Sequence, residues 1–402
     1  MNVQLFPARL AGTVAAIPSK SDAHRALICA ALADRPTRLI LDGELSEDMY
    51  ATGRCLAALG GTIRTASGGV EVSPIREVPE APLLDCGESG STLRFILPVA
   101  ASLCDGFSMI GRGRLPERPL GALCAAMEAG GCTFSAHALP LSVSGRLTSG
   151  EYALPGNISS QYISGFLLAF PMLPQESRIR LTAPLESSGY VAMTLSVMRR
   201  FGADAQWCAD GFRCSSGGYV SPGALEIEGD WSNAAFWLAA RSLGHALTVT
   251  GLCNTSSQPD RQVGALVDAL GDGAKVDVSE CPDLLPILAV RAAYAGGETH
   301  FLHAARLRLK ESDRLHAAAE GLALLGADVS EMPDALVVRG HGGLRGGCTV
   351  SSYGDHRMAM AWAIAALDAD EPVTILGAEA VNKSYPAFWR EYQRLGGKCD
   401  VL

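Results

Sequence analysis

Along this chain, apolar positions recur at helical spacing in a series of long segments, with short strand-like runs between them. In residues 18–33, Ala26, Leu27, Ala30 and Ala31 form a helical stripe, and Ser21 just before it reads as an N-cap. In residues 307–326, Leu315, Ala318, Ala319, Leu322 and Leu325 predict a helix with one buried face. Residues 85–98 and 352–368 each run from a Gly- and Ser-bearing turn into a strongly apolar helix. Residues 225–240 (LEIEGDWSNAAFWLAA) predict a strand, a Gly-Asp turn and a helix capped by Ser232.

One local phrase repeats: a helix ending on an apolar residue, then Gly-Gly or Gly-Ala, then a short strand. It stops its helix at Gly60, Gly130, Gly202, Gly271, Gly326 and Gly396, at spacings of 70, 72, 69, 55 and 70 residues. Glycine is the common helix stop everywhere, but six at a near-constant period predict six copies of one α/β unit. Each period holds two helices and several strands, too much for a solenoid repeat. The natural division is three units plus three, with residues 225–240 as the junction. Pro18, in VAAIPSKS, then marks where the chain first leaves one domain for the other.

Composition narrows the class. A length of 402 residues makes two domains the prior, and 48% hydrophobic residues with 44 glycines exclude a disordered chain. A formal charge of −9 makes nucleic acid and anionic membranes poor partners. No apolar run reaches spanning length, and MNVQLFPARLAG lacks the pattern of an export or transit signal. Twelve cysteines without a C-x-x-C pair read as small buried hydrophobes in a reducing cytosol. His300 and His303 could share a helical face, but no third ligand lies near them in sequence, so no metal site is expected.

Cations are instead bunched where loop meets helix. Lys20, Ser21 and Arg25 crowd the first turn of one helix, where backbone N–H groups already favour an anion. Gly90 opens another helix with Arg94 one turn in, and Arg112, Arg114 and Arg118 share a Gly/Pro-stiffened loop. Ser159, Ser160 and Gln161, with Ser187 and Tyr190, offer hydroxyls and an amide suited to a phosphate. Lys310-Glu311-Ser312-Asp313-Arg314 places a lysine beside a glutamate, the pairing expected of a proton relay. Asp355-His356-Arg357 and Lys383 lead into further apolar or aromatic helices. Taken singly, each segment also suits an ordinary capped helix with solvated charges.

Taken in order from Pro18 to Pro386, these segments resemble the 5-enolpyruvylshikimate-3-phosphate synthases, the enolpyruvyl transferases of the shikimate pathway. The resemblance implies an α/β fold of two similar domains, each of three βαβαββ units (an inside-out α/β barrel). The domains would be 19–227 and 1–18 plus 228–402, with the active site in the cleft between them. It implies transfer of the enolpyruvyl group of phosphoenolpyruvate to the 5-hydroxyl of shikimate 3-phosphate, by addition and elimination, without metal or organic cofactor. The protein would be a cytoplasmic monomer. The alternative is the sister family that uses a UDP-amino sugar. That family reads Lys-Asn where this chain has Lys20-Ser21, and usually carries a loop cysteine that Gly111–Leu120 lacks.

By position, Ser21 and Arg25 would hold the shikimate carboxylate, and Ser159, Ser160 and Ser187 its phosphate, with Gln161 and Tyr190 along the ring. Asp283 would grip the hydroxyls as base and Lys310 would bridge hydroxyl and phosphate. Lys20, Gly90, Arg118, Gln161, Arg314, Arg357 and Lys383 would surround phosphoenolpyruvate. Glu311 and Lys20 would carry protons, and His356 would orient the Arg357 region. Two positions depart from the family's commoner pattern: Glu88 and Arg306 stand where many members have Asn.

Overall fold

The computed structural model describes residues 1–402, which form two compact units, Pro18–Glu228 and Met1–Ile17 with Gly229–Leu402. Each has its own hydrophobic core.

In the unit Pro18–Glu228 a strand, a helix, a parallel strand and a second helix are followed by a glycine turn and an antiparallel hairpin. Strands Leu83–Asp85, Gly106–Ile110, Leu141–Ser144 and Thr133–Phe134 make one such sheet. Glu151–Pro155, Ser177–Ala183, Gly211–Cys214 and Ala205–Cys208 make the next. The third borrows its first strand from the end of the unit: Ala224–Glu226 pairs parallel with Thr37–Ile40, which leads to Gly69–Ser73 and Thr62–Ala66.

The other unit repeats the plan with a difference that the even spacing did not predict. Ala274–Asp277, Gly296–Leu302, Ala335–His341 and Asp328–Glu331 form a complete four-stranded sheet. Thr349–Ser351, Val373–Leu376 and Lys398–Val401 form another, completed by the N-terminal strand Asn2–Phe6. The remaining copy has only Ala11–Ala15 paired parallel with Ala246–Thr250. Its hairpin is missing, because the chain after Gly271 passes directly into Ala274–Asp277, the first strand of the next copy. That omission is why the interval from Gly271 to Gly326 is 55 residues rather than about 70.

The first helix of each copy is buried on nearly every side, and beyond its first turns it is mostly apolar. Lys20–Ala31, Gly90–Leu103 and Ser160–Ala169 accordingly pack together inside their unit, beneath the strands. Trp231–Ser242, Leu285–Ala293 and His356–Ala365 do the same in theirs. The second helices keep one polar face; in Arg314–Leu324, Leu315, Ala318, Ala319 and Leu322 are buried, as is Leu325 at its end.

Several local expectations shift. The cap of the first helix is Ser19, whose hydroxyl accepts from Asp22 N–H at 3.3 Å, so Lys20 and Ser21 are already helical. The cap of Trp231–Ser242 is Asp230 rather than Ser232, accepting from Asn233 N–H at 2.7 Å. A carboxylate two residues nearer the strand outcompetes the serine, whose hydroxyl turns to Asp260 instead. His300 lies in a strand and His303 just beyond it, bonded to Glu298 and Asp277, so they share no helical face. All twelve cysteines are free. No helix is long and apolar enough to cross a membrane.

Candidate active site

Because the buried helices carry apolar bodies, their polar residues collect at the ends, and in each unit the functional candidates lie at or beside helix N-termini. In Pro18–Glu228, Lys20 opens its helix and its Nζ is 2.9 Å from Asp48 Oδ2, both side chains largely covered. One turn on, Arg25 donates from Nε to Thr194 Oγ1 at 2.7 Å, and from its Nη atoms to the carbonyls of Ser21 at 2.6 Å and Tyr190 at 2.9 Å. Beneath them, His24 Nδ1 lies 2.6 Å from Thr52 Oγ1, which continues through Thr92 Oγ1 to Ser89 Oγ. This buried hydroxyl chain ties the start of one core helix to the start of the next.

Gly90 lets the Arg118 side chain approach closely. A Cβ there would lie 2.3 Å from Arg118 Nη1, so the Arg118 guanidinium rests directly on the glycine backbone. Of the three loop arginines only Arg118 is buried; Arg112 pairs with Asp85 and Arg114 with Glu117 at the surface. The carboxylate of Glu88 lies against Gly113, which has φ +59 and no room for a side chain. Arg94, nearly buried, donates from Nη1 to Gln161 Oε1 at 2.7 Å, and Gln161 Nε2 donates to Ser91 Oγ at 2.9 Å. The amide of Gln161 is thereby held in one orientation. Ser159 caps the helix Ser160–Ala169. Ser187 precedes Ser188–Arg200 in the left-handed region, φ 55, a strain that persists only where the surroundings enforce it.

In the other unit the candidates form one ion network. Arg314, 1% exposed, starts its helix and donates to Asp355 Oδ2 at 2.7 Å, Asp283 Oδ1 at 2.6 Å and Glu311 Oε2 at 2.6 Å. Arg357 Nη2 is 2.8 Å from Asp283 Oδ2, and Lys310 Nζ is 3.6 Å from Asp283 Oδ1. Asp355 is fully buried, caps the helix His356–Ala365 through the Arg357 N–H, and accepts from Ser312 Oγ. His356 is buried beside it. Lys383 donates to the Gly354 carbonyl at 2.7 Å.

The electrostatics follow from burial and neighbours. Burial would raise the Asp283 carboxyl, but Arg357, Lys310 and Arg314 outweigh it and hold it well below the usual carboxylate range. Burial pushes the Lys310 ammonium down, and the cations Arg314 and Arg306 add to that against Asp283 and Glu311, leaving it at about 8. Arg306 therefore acts on Lys310 through space. Arg314 engages three carboxylates, so its charge is met within the unit.

The structure thus brings Lys20, Ser21, Arg25 and Tyr190 together in one unit, and Gly90, Arg118 and Gln161 near one another in the same unit. It gathers Asp283, Lys310, Glu311, Arg314 and Arg357 in the other. Asp48 and Thr194 were missed as participants, and Asp355 was named in its segment without a role of its own. Asp48 and Thr194 carry no local signal beyond an ordinary helical position, whereas Asp355 as a cap was visible in the Asp-His-Arg sequence. No three His, Cys, Asp or Glu side chains gather to hold a metal ion.

The family model described as EPSP synthase (3-phosphoshikimate 1-carboxyvinyltransferase) matches residues 6–392. A 3-phosphoshikimate 1-carboxyvinyltransferase of Clostridium kluyveri is 38% identical over 423 residues, covering 99% of this chain and 98% of the relative. The protein of that name in Clostridium acetobutylicum is 39% identical over 420 residues, covering 98% and 97%. Among solved structures, EPSP synthase from Acinetobacter baumannii superposes with a TM-score of 0.82 at 23% identity, covering 100% of both chains. The enolpyruvyl transferase NikO from Streptomyces tendae gives 0.79 at 18%, covering 99% of this chain and 98% of that one. At those identities the two structures show the fold.

Proposed function

Because this chain belongs to the EPSP synthase family and transfers the enolpyruvyl group of phosphoenolpyruvate to shikimate 3-phosphate, we propose that the clusters described above hold these two substrates. It is a transferase of the shikimate pathway, which serves aromatic amino acid biosynthesis. The UDP-amino sugar acceptor is not favoured, since the family model and both relatives carry the name of the shikimate enzyme.

Arg25 and Ser21 hold the shikimate carboxylate, and Ser159, Ser160 and Ser187 take its phosphate at two helix starts, with Gln161 and Tyr190 along the ring. Lys20, Arg118, Arg314, Arg357 and Lys383 meet the charges of phosphoenolpyruvate, with Gln161 and the Gly90 backbone beside it. Asp283, ionised at neutral pH, accepts the proton of the 5-hydroxyl as the oxygen bonds to C2 of phosphoenolpyruvate. Glu311 and Lys20 deliver a proton to C3, giving a tetrahedral adduct. Loss of a proton from that methyl carbon and cleavage of the C2–O bond to phosphate then complete the transfer. No metal or organic cofactor has a role in these steps.

The observation that carries this reading is the network of Lys310, Asp283, Glu311, Arg314 and Arg357. It holds a carboxylate ionised beside a lysine tuned to about 8. A surface ion pair leaves a lysine near its ordinary value, whereas a lysine at about 8 can exchange a proton near neutral pH. Twelve free cysteines support a cytoplasmic location. The test is phosphate release by the purified chain. Release from phosphoenolpyruvate should require shikimate 3-phosphate and survive a chelator, and no release with both substrates present overturns the assignment.

A further inference from the structure

Arg25 differs from the arginines of the other unit in how its charge is met. Arg314 and Arg357 end on carboxylates. Arg25, buried at 3% exposure, ends on three neutral oxygens: the Thr194 hydroxyl and the carbonyls of Ser21 and Tyr190. Asp22 acts on it through space but is itself 3.3 Å from Arg200 and accepts from the Glu228 N–H. His24, next in the helix, is kept neutral by burial and by Lys20 and Arg25, so it adds no charge of either sign. A buried guanidinium with no carboxylate bonded to it gains from a further source of stabilisation.

That source is Phe95. The Arg25 Cζ lies 4.9 Å from the centroid of its ring, within the range of a cation–π contact. The ring is 1% exposed and meets His24 edge-on at 6.5 Å and 84°. It projects from the helix Gly90–Leu103, whose preceding residue Arg94 holds Gln161.

We propose that Phe95 is the positioning residue of Arg25: its ring face steadies a buried guanidinium without neutralising it, which keeps the charge available for the substrate's carboxylate. A carboxylate at this place would stabilise the cation more strongly, but it would compete with the substrate for the guanidinium. An aromatic face attracts the cation through its quadrupole and leaves its net charge intact. Leucine would fill much of the same space and supply neither the flat surface nor the quadrupole. The inference rests on the assignment of Arg25 to the shikimate carboxylate.

The test replaces Phe95 in the full-length chain with mono-, di- and trifluorophenylalanine, which weaken the ring's negative face stepwise at nearly constant size. Phe95→Leu is made alongside. Shikimate 3-phosphate Kd is measured with the KM for phosphoenolpyruvate as a control. Expected is a stepwise rise in Kd along the fluorinated series, reaching about fivefold in Phe95→Leu. The phosphoenolpyruvate KM and the unfolding temperature of the fluorinated proteins should stay constant. Should Phe95→Leu fail to fold, the fluorinated series alone decides. A flat series overturns the proposal, because it makes Phe95 a packing residue only. Arg25→Gln separates the two layers of the argument. An unchanged Kd in that variant sinks the assignment of Arg25, whereas a weakened Kd beside a flat fluorine series sinks only the role of Phe95.

Discussion

Lys310→Met should make the protein more stable and nearly inactive. Lys310 is lowered from its ordinary 10.5 to about 8 in the folded chain, first by burial and then by Arg314 and Arg306. Keeping it charged in the native state below pH 8 therefore costs about 3 kcal/mol. That figure already includes the attraction of Asp283 and Glu311; because the side chain is 26% exposed, solvent screening reduces it, and about 1–2 kcal/mol should remain at pH 7. The sign follows from proton uptake. Between about pH 8 and 10.5 the unfolded chain binds this proton and the folded chain does not, so wild-type stability rises with pH across that window. The methionine variant lacks that rise, and its advantage should shrink toward pH 10. Urea unfolding followed by tryptophan fluorescence suits the measurement, because Trp231, Trp237, Trp362 and Trp389 all lie in the unit that holds Lys310. A variant less stable than wild type at pH 7, or one whose advantage persists undiminished at pH 10, would refute the reasoning.

Glu311→Gln should lower kcat by roughly 10²–10⁴ while leaving the KM for phosphoenolpyruvate unchanged or lower, since it keeps shape but cannot exchange a proton. A kcat within about threefold of wild type would leave Glu311 as a mere partner of Arg314. Gly90→Ala should raise the KM for phosphoenolpyruvate with little effect on shikimate 3-phosphate binding, because a Cβ 2.3 Å from Arg118 Nη1 must push that guanidinium away. An unchanged KM would place Arg118 outside the substrate site. Asp283→Asn should blunt acid unfolding. The wild-type carboxylate is held well below its ordinary 3.8 by Arg357, Lys310 and Arg314 against burial, so its stabilisation is present above that pH and lost as pH falls. Stability profiles of the two proteins that run parallel below pH 4 would show that Asp283 is not so held.

Local pattern carried a good deal of this protein. Apolar residues on nearly every side of Gly90–Leu103 and His356–Ala365 required burial, and glycine stops at a near-constant period announced a repeated unit. Both signals depend on residues a few positions apart, which a sequence displays directly. Even the missing hairpin was present as the short 55-residue interval, although nothing local said which element had gone. The cation-bearing segments resembled one family through their order along the chain, and several of them sit at helix starts. The tertiary structure decided how those charges are used. It turned Arg118 inward and left Arg112 and Arg114 at the surface. It divided Arg314 among Asp283, Glu311 and Asp355, placing a partner 41 residues along the chain as close as one three residues away. It laid Phe95 under Arg25 and set Lys310 at about 8. Caps and stripes are properties of single helices, whereas a charge is tuned by burial and by whichever neighbours the packing of several helices brings within a few ångströms.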